Sequence, residues 1–186
     1  MNKKDLSLRS IERTDAAYLM GLMNQEQVAQ RSMLGEKVTL PRALQSVKES
    51  QDPDNALDMW MIMRGTKRLG KVNSIQLGEG DVLLGYSVSP EQKNKGVATE
   101  AVRQLIALLT SPMDSRLRGN DEKMGSNKSI RRLQALVEPD NIASIRVLEK
   151  NDFGLVGLIE RSASLGSGAN RDLLLYEIDY NEKRED

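Results

Sequence analysis

The residues of this chain best placed to do chemistry fall within Leu84-Gly-Tyr-Ser-Val-Ser-Pro-Glu-Gln-Lys-Asn-Lys-Gly-Val-Ala-Thr-Glu-Ala-Val102. An apolar run stops at Pro90, turns through the basic loop Lys93-Asn-Lys-Gly-Val-Ala98, and resumes with helical spacing. A helix start leaves its first backbone N–H groups without intrahelical partners and carries about half a positive charge, so such a junction suits an anion of the pyrophosphate type. The amides of residues 94–99, from Asn94 through Val97 to Thr99, would converge on it. Gly96 permits a close backbone approach, Ala98 keeps the approach uncrowded, Thr99 offers a hydroxyl, and Lys93 and Lys95 add positive charge. A second cluster follows a strand at Glu138-Pro-Asp-Asn-Ile-Ala-Ser144, where Asn141 opens a helix and Ser144 shares its face three residues on.

Composition excludes several classes. The chain has no Cys and no His, which removes disulfides, zinc sites built on those ligands, and nucleophiles that need an imidazole partner. Catalysis is left to carboxylates, hydroxyls, amides, Tyr and the backbone. Basic and acidic residues balance at 27 each, and one Phe, one Trp and four Tyr leave few rings for stacking bases, so nucleic acid is not an expected partner. No apolar run approaches the roughly 18 residues of a membrane span, and the first residues lack the apolar core of a signal peptide. The expectation is a cytoplasmic protein with no membrane partner and no metal. Its nine Met read as core packing.

The elements that must position these residues alternate. Residues 6–11 read as a half-buried strand, and Thr14 as the cap of a helix burying Leu19, Leu22 and Met23. Thr39, with Pro41 in the first turn, opens a helix whose stripe is Leu40, Ala43, Leu44 and Val47, ended by Asp52-Pro-Asp-Asn55. Residues 57–63, 69–77 and 82–88 form a meander of three strands. A helix follows over 96–110, with Val97, Ala101, Val102, Leu105, Ile106, Leu108 and Leu109 on a broad apolar face. Residues 133–138 are a strand, 141–150 a helix, and 153–159 and 172–178 two closing strands around a turn at 165–170. The fold class is α+β, with about seven strands and four helices in one domain over 1–186. Residues 111–129, poor in apolar groups and rich in Gly, Asn, Ser and charge, read as a flexible insertion.

These blocks carry a family resemblance. Lys93-Asn-Lys-Gly96-Val-Ala98 resembles the acetyl-CoA loop of the GNAT superfamily of N-acetyltransferases. Val137 to Phe153, with Asn141-Ile-Ala-Ser144 and Arg146-Val-Leu-Glu-Lys150, is similar to the ribosomal-protein N-acetyltransferase, RimJ/RimL-like, branch. Leu8-Arg9 with Asp15-Ala16, and Arg171-Asp172 with Tyr176, fit the same branch. The resemblance spans nearly the whole chain and implies a GNAT-like fold, a central mixed, mostly antiparallel twisted sheet flanked by helices.

The resemblance also implies a reaction. Acetyl-CoA would lie along the strand ending at Ser87 and Val88, with the thioester carbonyl at an amide near Val88, and Asn141 and Ser144 would line the same cleft. An acceptor amine, on a protein N-terminus, a peptide or a small molecule such as a polyamine or amino acid, would attack the thioester directly. Side chains then move protons. The Tyr that many relatives place seven residues after the helix Asn is Leu148 here, and the Glu that some place five before it is Leu136. Glu138, two residues along the strand, is the candidate base, with Glu79 and Asp81 as weaker candidates. A non-catalytic acyl-CoA-binding domain is the alternative. Branch members often dimerise, so a homodimer is an expected assembly.

Overall fold

The computed structural model describes residues 5–30, 37–78, 80–111, 130–163 and 170–180. Seven strands form one sheet: β1 Leu6–Ser10, β2 Leu57–Arg64, β3 Lys67–Gly78, β4 Asp81–Val88, β5 Arg132–Val137, β6 Gly154–Ala163 and β7 Asn170–Asp179. Their spatial order is β1-β2-β3-β4-β5-β7-β6. Every pairing is antiparallel except β4 with β5, a parallel pair whose crossover runs through α4. The helices are α1 Ala16–Met23, α2 Glu26–Ala29, α3 Leu40–Gln51, α4 Val97–Thr110 and α5 Ile142–Glu149.

Alternation along the strands gives the sheet two apolar faces, each covered by helices. On one face Trp60, Ile62, Val72, Val82, Leu84, Leu133 and Ala135 pack with Val97, Ala101, Val102 and Leu105 of α4 and Leu148 of α5. On the other, Met59, Met61 and Met63 of β2 meet Leu19, Leu22 and Met23 of α1 and Ala43 and Val47 of α3. The methionines of this second cluster fill core volume, as their number suggests.

The expected mixed α+β sheet of seven strands is present, and the helix count rises to five because α2 escaped the sequence reading. Four residues give no readable period. Thr14 does not cap α1. Instead Glu12 and Asp15 form a capping box around one 3-10 turn, and the helix starts at Ala16. Thr39 does cap α3, accepting from the Arg42 N–H at 3.4 Å, but Leu40 points outward and is 43 % exposed. Of the insertion expected over 111–129, all but Ser111 lies outside the described residues, as do Glu79 and most of the turn at 165–170.

Asp15 ties the N-terminal layer together. Fully buried, it accepts from Arg9 Nη2 at 2.9 and 3.0 Å, from Arg68 Nε at 2.7 Å and from the Glu12 amide at 2.8 Å. Burial alone would raise this carboxyl, but the bonds from Arg9, Glu12 and Arg68 outweigh it and hold the group below the usual carboxylate range. β1, β3 and the start of α1 are thereby pinned to one point.

The end of α5 is equally defined. Phe153 N–H bonds the Leu148 carbonyl at 3.2 Å, Asp152 N–H bonds that of Glu149 at 3.2 Å, and Asp152 sits at φ 64. This is a Schellman stop with an aspartate in the left-handed position, and Leu148 and Phe153 share the core cluster on its flank.

Two outcomes follow for stability. Asp15→Asn should cost about 3 kcal/mol, because it leaves two guanidiniums short of their anion. A depressed carboxyl stabilises at neutral pH and loses that contribution as pH falls below its unfolded value near 4, so acid unfolding of the variant should be shallower than that of the parent there. Asp152→Gly should raise the melting temperature by about 2–4 °C by relieving the left-handed strain, read by calorimetry.

Candidate functional site

The site begins where two strands part. The parallel register of β4 and β5 runs from Asp81 opposite Arg132 to Leu84 opposite Ala135. Beyond it β4 continues to Val88 against β3 alone, and β5 continues to Val137 against β7 alone. The backbone groups of residues 85–88 on the β5 side therefore form a short free edge, able to take an extended ligand as a strand takes a partner. Gly70 allows the divergence. A Cβ at that position would lie 2.3 Å from the Ser87 carbonyl and 2.8 Å from Val88 Cα, so glycine lets the end of β4 close onto β3.

Past this edge the chain makes a 3-10 turn over Pro90–Gln92 and enters the basic loop. Asn94 and Gly96 both take left-handed backbone, φ 59 and φ 73, which turns the loop into the start of α4. No side chain caps that helix. The amides of Val97, Ala98 and Thr99 thus stand at an uncapped N-terminus aimed out of the fold. Val97 itself is buried in the core, so only its backbone can meet a ligand. Thr99 and Gly96, with Glu100, Arg103 and Lys150, line a cleft of about 260 Å³. Arg103 and Lys150 are cations the sequence reading missed, since they lie on two helices far apart in the chain.

The expected partners of the loop divide. Lys95 is exposed, and its amide closes the turn onto the Gln92 carbonyl at 3.3 Å. Lys93 reaches instead to Gln27 on α2, so this lysine braces α2 against the loop. Asn141 caps α5, its Oδ1 accepting from the Ser144 amide at 3.2 Å. Its Nδ2 has no partner among the described residues. Ser144 contributes its carbonyl, which accepts from the Tyr86 hydroxyl at 3.1 Å. Tyr86 therefore spans the gap between the free segment of β4 and the first turn of α5, and burial raises its hydroxyl to about 12. Asn151 locks the two helices together, donating to the Thr99 carbonyl at 3.2 Å and to that of Val147 at 2.8 Å.

The candidate bases fare differently. Glu138 ends β5 and pairs with Arg171 Nη1 at 2.5 Å, and Arg171 also donates to the Gln30 carbonyl at 2.7 Å. With Gln30, Pro139, Asp140 and Asp172 they line a second cleft of about 400 Å³. Asp81 is bound to Arg132 at the far end of β4, about 23 Å of strand from Val88, and is too distant to act at the free edge. Leu148, where a tyrosine was sought, is 1 % exposed and belongs to the core.

On the other face of the sheet a polar group interrupts the methionines. Lys71 is flanked by Met61 and Ser87 across the strands, and its ammonium donates to Asn73 Oδ1 at 2.6 Å. The sequence signal for it was a lysine two residues before an asparagine on one side of a strand, which strand alternation alone leaves ambiguous between the inner and outer face. Ser87 faces this cluster, whereas Val88 packs on the α4 side. Tyr18 of α1 closes over the strand end, its hydroxyl 2.8 Å from Ser89 Oγ.

The comparisons with known proteins agree with this geometry. No curated protein matches the chain. Among solved structures, spermidine N-acetyltransferase from Vibrio cholerae in complex with CoA and spermine superposes with a TM-score of 0.76 at 15% identity, covering 96% of this chain and 97% of that one. RimL, a ribosomal L7/L12 alpha-N-protein acetyltransferase in complex with coenzyme A, gives 0.73 at 17% identity over 94% of each. Ribosomal-protein-S5-alanine acetyltransferase from Vibrio fischeri gives 0.72 at 18%, over 94% and 93%. At such identities the likeness is one of fold. The family profile described as Acetyltransferase (GNAT) domain matches residues 5–154, and the chain belongs to that family.

Proposed function

We propose that this protein is an acetyl-CoA-dependent N-acetyltransferase of the RimJ/RimL-like branch that moves an acetyl group to a primary amine, on a protein N-terminus or a small molecule. The observation that carries this reading is the parting of β4 from β5 after Leu84 and Ala135, directly before an uncapped helix start. One supplies an edge for the pantetheine arm and the other a cradle for the pyrophosphate. Ser87 and Val88 border the edge, and the amides of Asn94 and residues 96–99 form the cradle, that of Lys95 being taken up by the Gln92 carbonyl; Arg103, Lys150 and the Lys95 side chain surround it with positive charge. Acetyl-CoA supplies an activated thioester there. An amide of the free β4 segment would polarise its carbonyl; the amine would attack without a covalent enzyme intermediate, forming the C–N bond as the C–S bond breaks, and the coenzyme A thiolate would leave and take up a proton as the amine loses one.

Proton removal is the open assignment among the side chains. Glu138, held by Arg171 at the end of the sheet, is the candidate base, acting through water. Asn141 Nδ2 and Ser144 line the coenzyme side. A second reading, an acyl-CoA-binding domain without catalysis, draws support from Leu148 being core and from Glu138 being paired.

Calorimetry with acetyl-CoA and a thiol-release assay over a panel of amines test both. Stoichiometric binding and amine-dependent thiol release are expected. Ala98→Glu, which sets a carboxylate at the cradle, should weaken acetyl-CoA at least about tenfold. Undiminished binding in that variant would remove the cradle assignment, and binding without thiol release would favour the second reading. The exposed Leu155, Val156, Leu158 and Ile159 on the edge strand β6 support a homodimer through that edge. Light scattering should then give twice the 20.8 kDa chain mass, and Leu158→Lys should halve it.

A further inference from the structure

Lys71 is a half-buried cation whose charge the fold does not answer. Arg9 and Arg68 share Asp15, Arg132 holds Asp81, and Arg171 holds Glu138. Among the described residues no carboxylate pairs with Lys71, and its ammonium, which has three donors, is bonded to Asn73 Oδ1 alone. Burial pushes it down to about 8, so it still carries its charge at neutral pH. A lysine reaching for water would extend outward, whereas this one is bent back along the sheet onto Asn73.

Its location ties this to the site. Asn73 lies directly opposite Gly85, and Lys71 opposite Ser87. A Cβ on Gly85 would come within 2.9 Å of Asn73 Oδ1, so glycine at that position makes the room in which Asn73 holds the ammonium. Both β4 residues belong to the segment that has lost β5. A group docked on that free edge is about two strand spacings, roughly 10 Å, from the backbone of β3, and the lysine side chain covers much of that gap. The opposite face of the sheet is filled by α4 and α5, so an acceptor reaching Lys71 enters on the other face, beside α1, whose Tyr18 meets Ser89 at the end of the strand.

We infer that Lys71, held by Asn73 over Gly85 and Ser87, docks an anionic group of the acceptor, so that the amine acetylated carries a carboxylate a few bonds from its nitrogen. This rests on the acetyltransferase reading above. A free amino acid or short aminocarboxylate satisfies both ends at once. A polyamine instead brings a second cation toward Lys71 and is disfavoured by like-charge repulsion.

The test compares methionine with its carboxamide, β-alanine with its carboxamide, and spermidine, in wild type, Lys71→Met and Lys71→Arg. Acetyl-CoA affinity, measured separately by calorimetry, reports on the acetyltransferase reading and should be the same in all three proteins. In wild type, kcat/KM should favour each acid over its amide by about 10- to 100-fold, mostly through KM. That ratio should fall to near one in Lys71→Met and be largely kept in Lys71→Arg. Equal use of acid and amide, a preference for spermidine, or an acid preference that survives Lys71→Met overturns the inference. Should no acceptor turn over, methionine is titrated into the protein saturated with CoA. Binding lost in Lys71→Met supports the inference, and no binding, or binding that Lys71→Met leaves unchanged, overturns it.

Discussion

The divergence of β4 from β5 is the constraint on which the remaining features depend. A sheet gains a hydrogen bond for each paired residue, so ending a central pairing after four positions has a cost that only a ligand or solvent can offset. Two adjustments maintain it. Gly70 lets the C-terminal end of β4 lean onto β3, and Gly85 leaves space for Asn73 above the strand. Substituting either glycine would press a Cβ into backbone or into a polar side chain, and the edge would move. The helix that follows starts at the left-handed Gly96 without a side-chain cap. Two stretches of available backbone result, the strand edge at residues 85–88 and the helix start at residues 97–99, joined by a turn that is bonded internally.

Charge is distributed around that surface by rule. Where a cation and an anion serve the scaffold, they are paired: Arg9 and Arg68 on the buried Asp15, Arg132 on Asp81. Such pairs rigidify more than they stabilise, because desolvation consumes much of the attraction. Arg103 and Lys150 line the cleft at the start of α4, although Arg103 also leans on Glu100 one turn away. Among the described residues Lys71 is left with an amide oxygen alone. That contrast with the paired scaffold charges is what supports the proposed acceptor contact.

Much of the fold was legible in the chain. Strand β2 is a dense apolar run, β3 and β4 are set off by turn residues, and helices α3, α4 and α5 carry apolar stripes, with Thr39 and Asn141 capping α3 and α5, so local physics and tertiary demand agree. Where they disagreed the reading slipped. Thr14 looked like a cap because hydroxyls favour that role, yet the buried needs of Arg9 and Arg68 placed Asp15 at the turn instead. Leu40 looked like core because it fits a stripe, yet it lies in the first turn beyond the layer it would join. Asn151 and Asp152, polar residues with no place in the apolar stripe of α5, are a helix lock and a left-handed stop.

By itself the sequence determined the cofactor side of this protein: a strand, a basic glycine loop and a helix start are contiguous, and their chemistry is local. It also determined what catalysis could not use, since a chain without His or Cys has no imidazole or thiol to offer. Only the tertiary structure brought together the residues on which the proposed acceptor side rests. Lys71, Asn73 and Gly85 meet across two strands, Glu138 finds Arg171 33 residues away, and α2 is held by contacts with Lys93 and Arg171 rather than by any period of its own. Residues distant in the chain become neighbours through strand register, and register is set by the burial of both faces of the sheet together, which no single segment encodes.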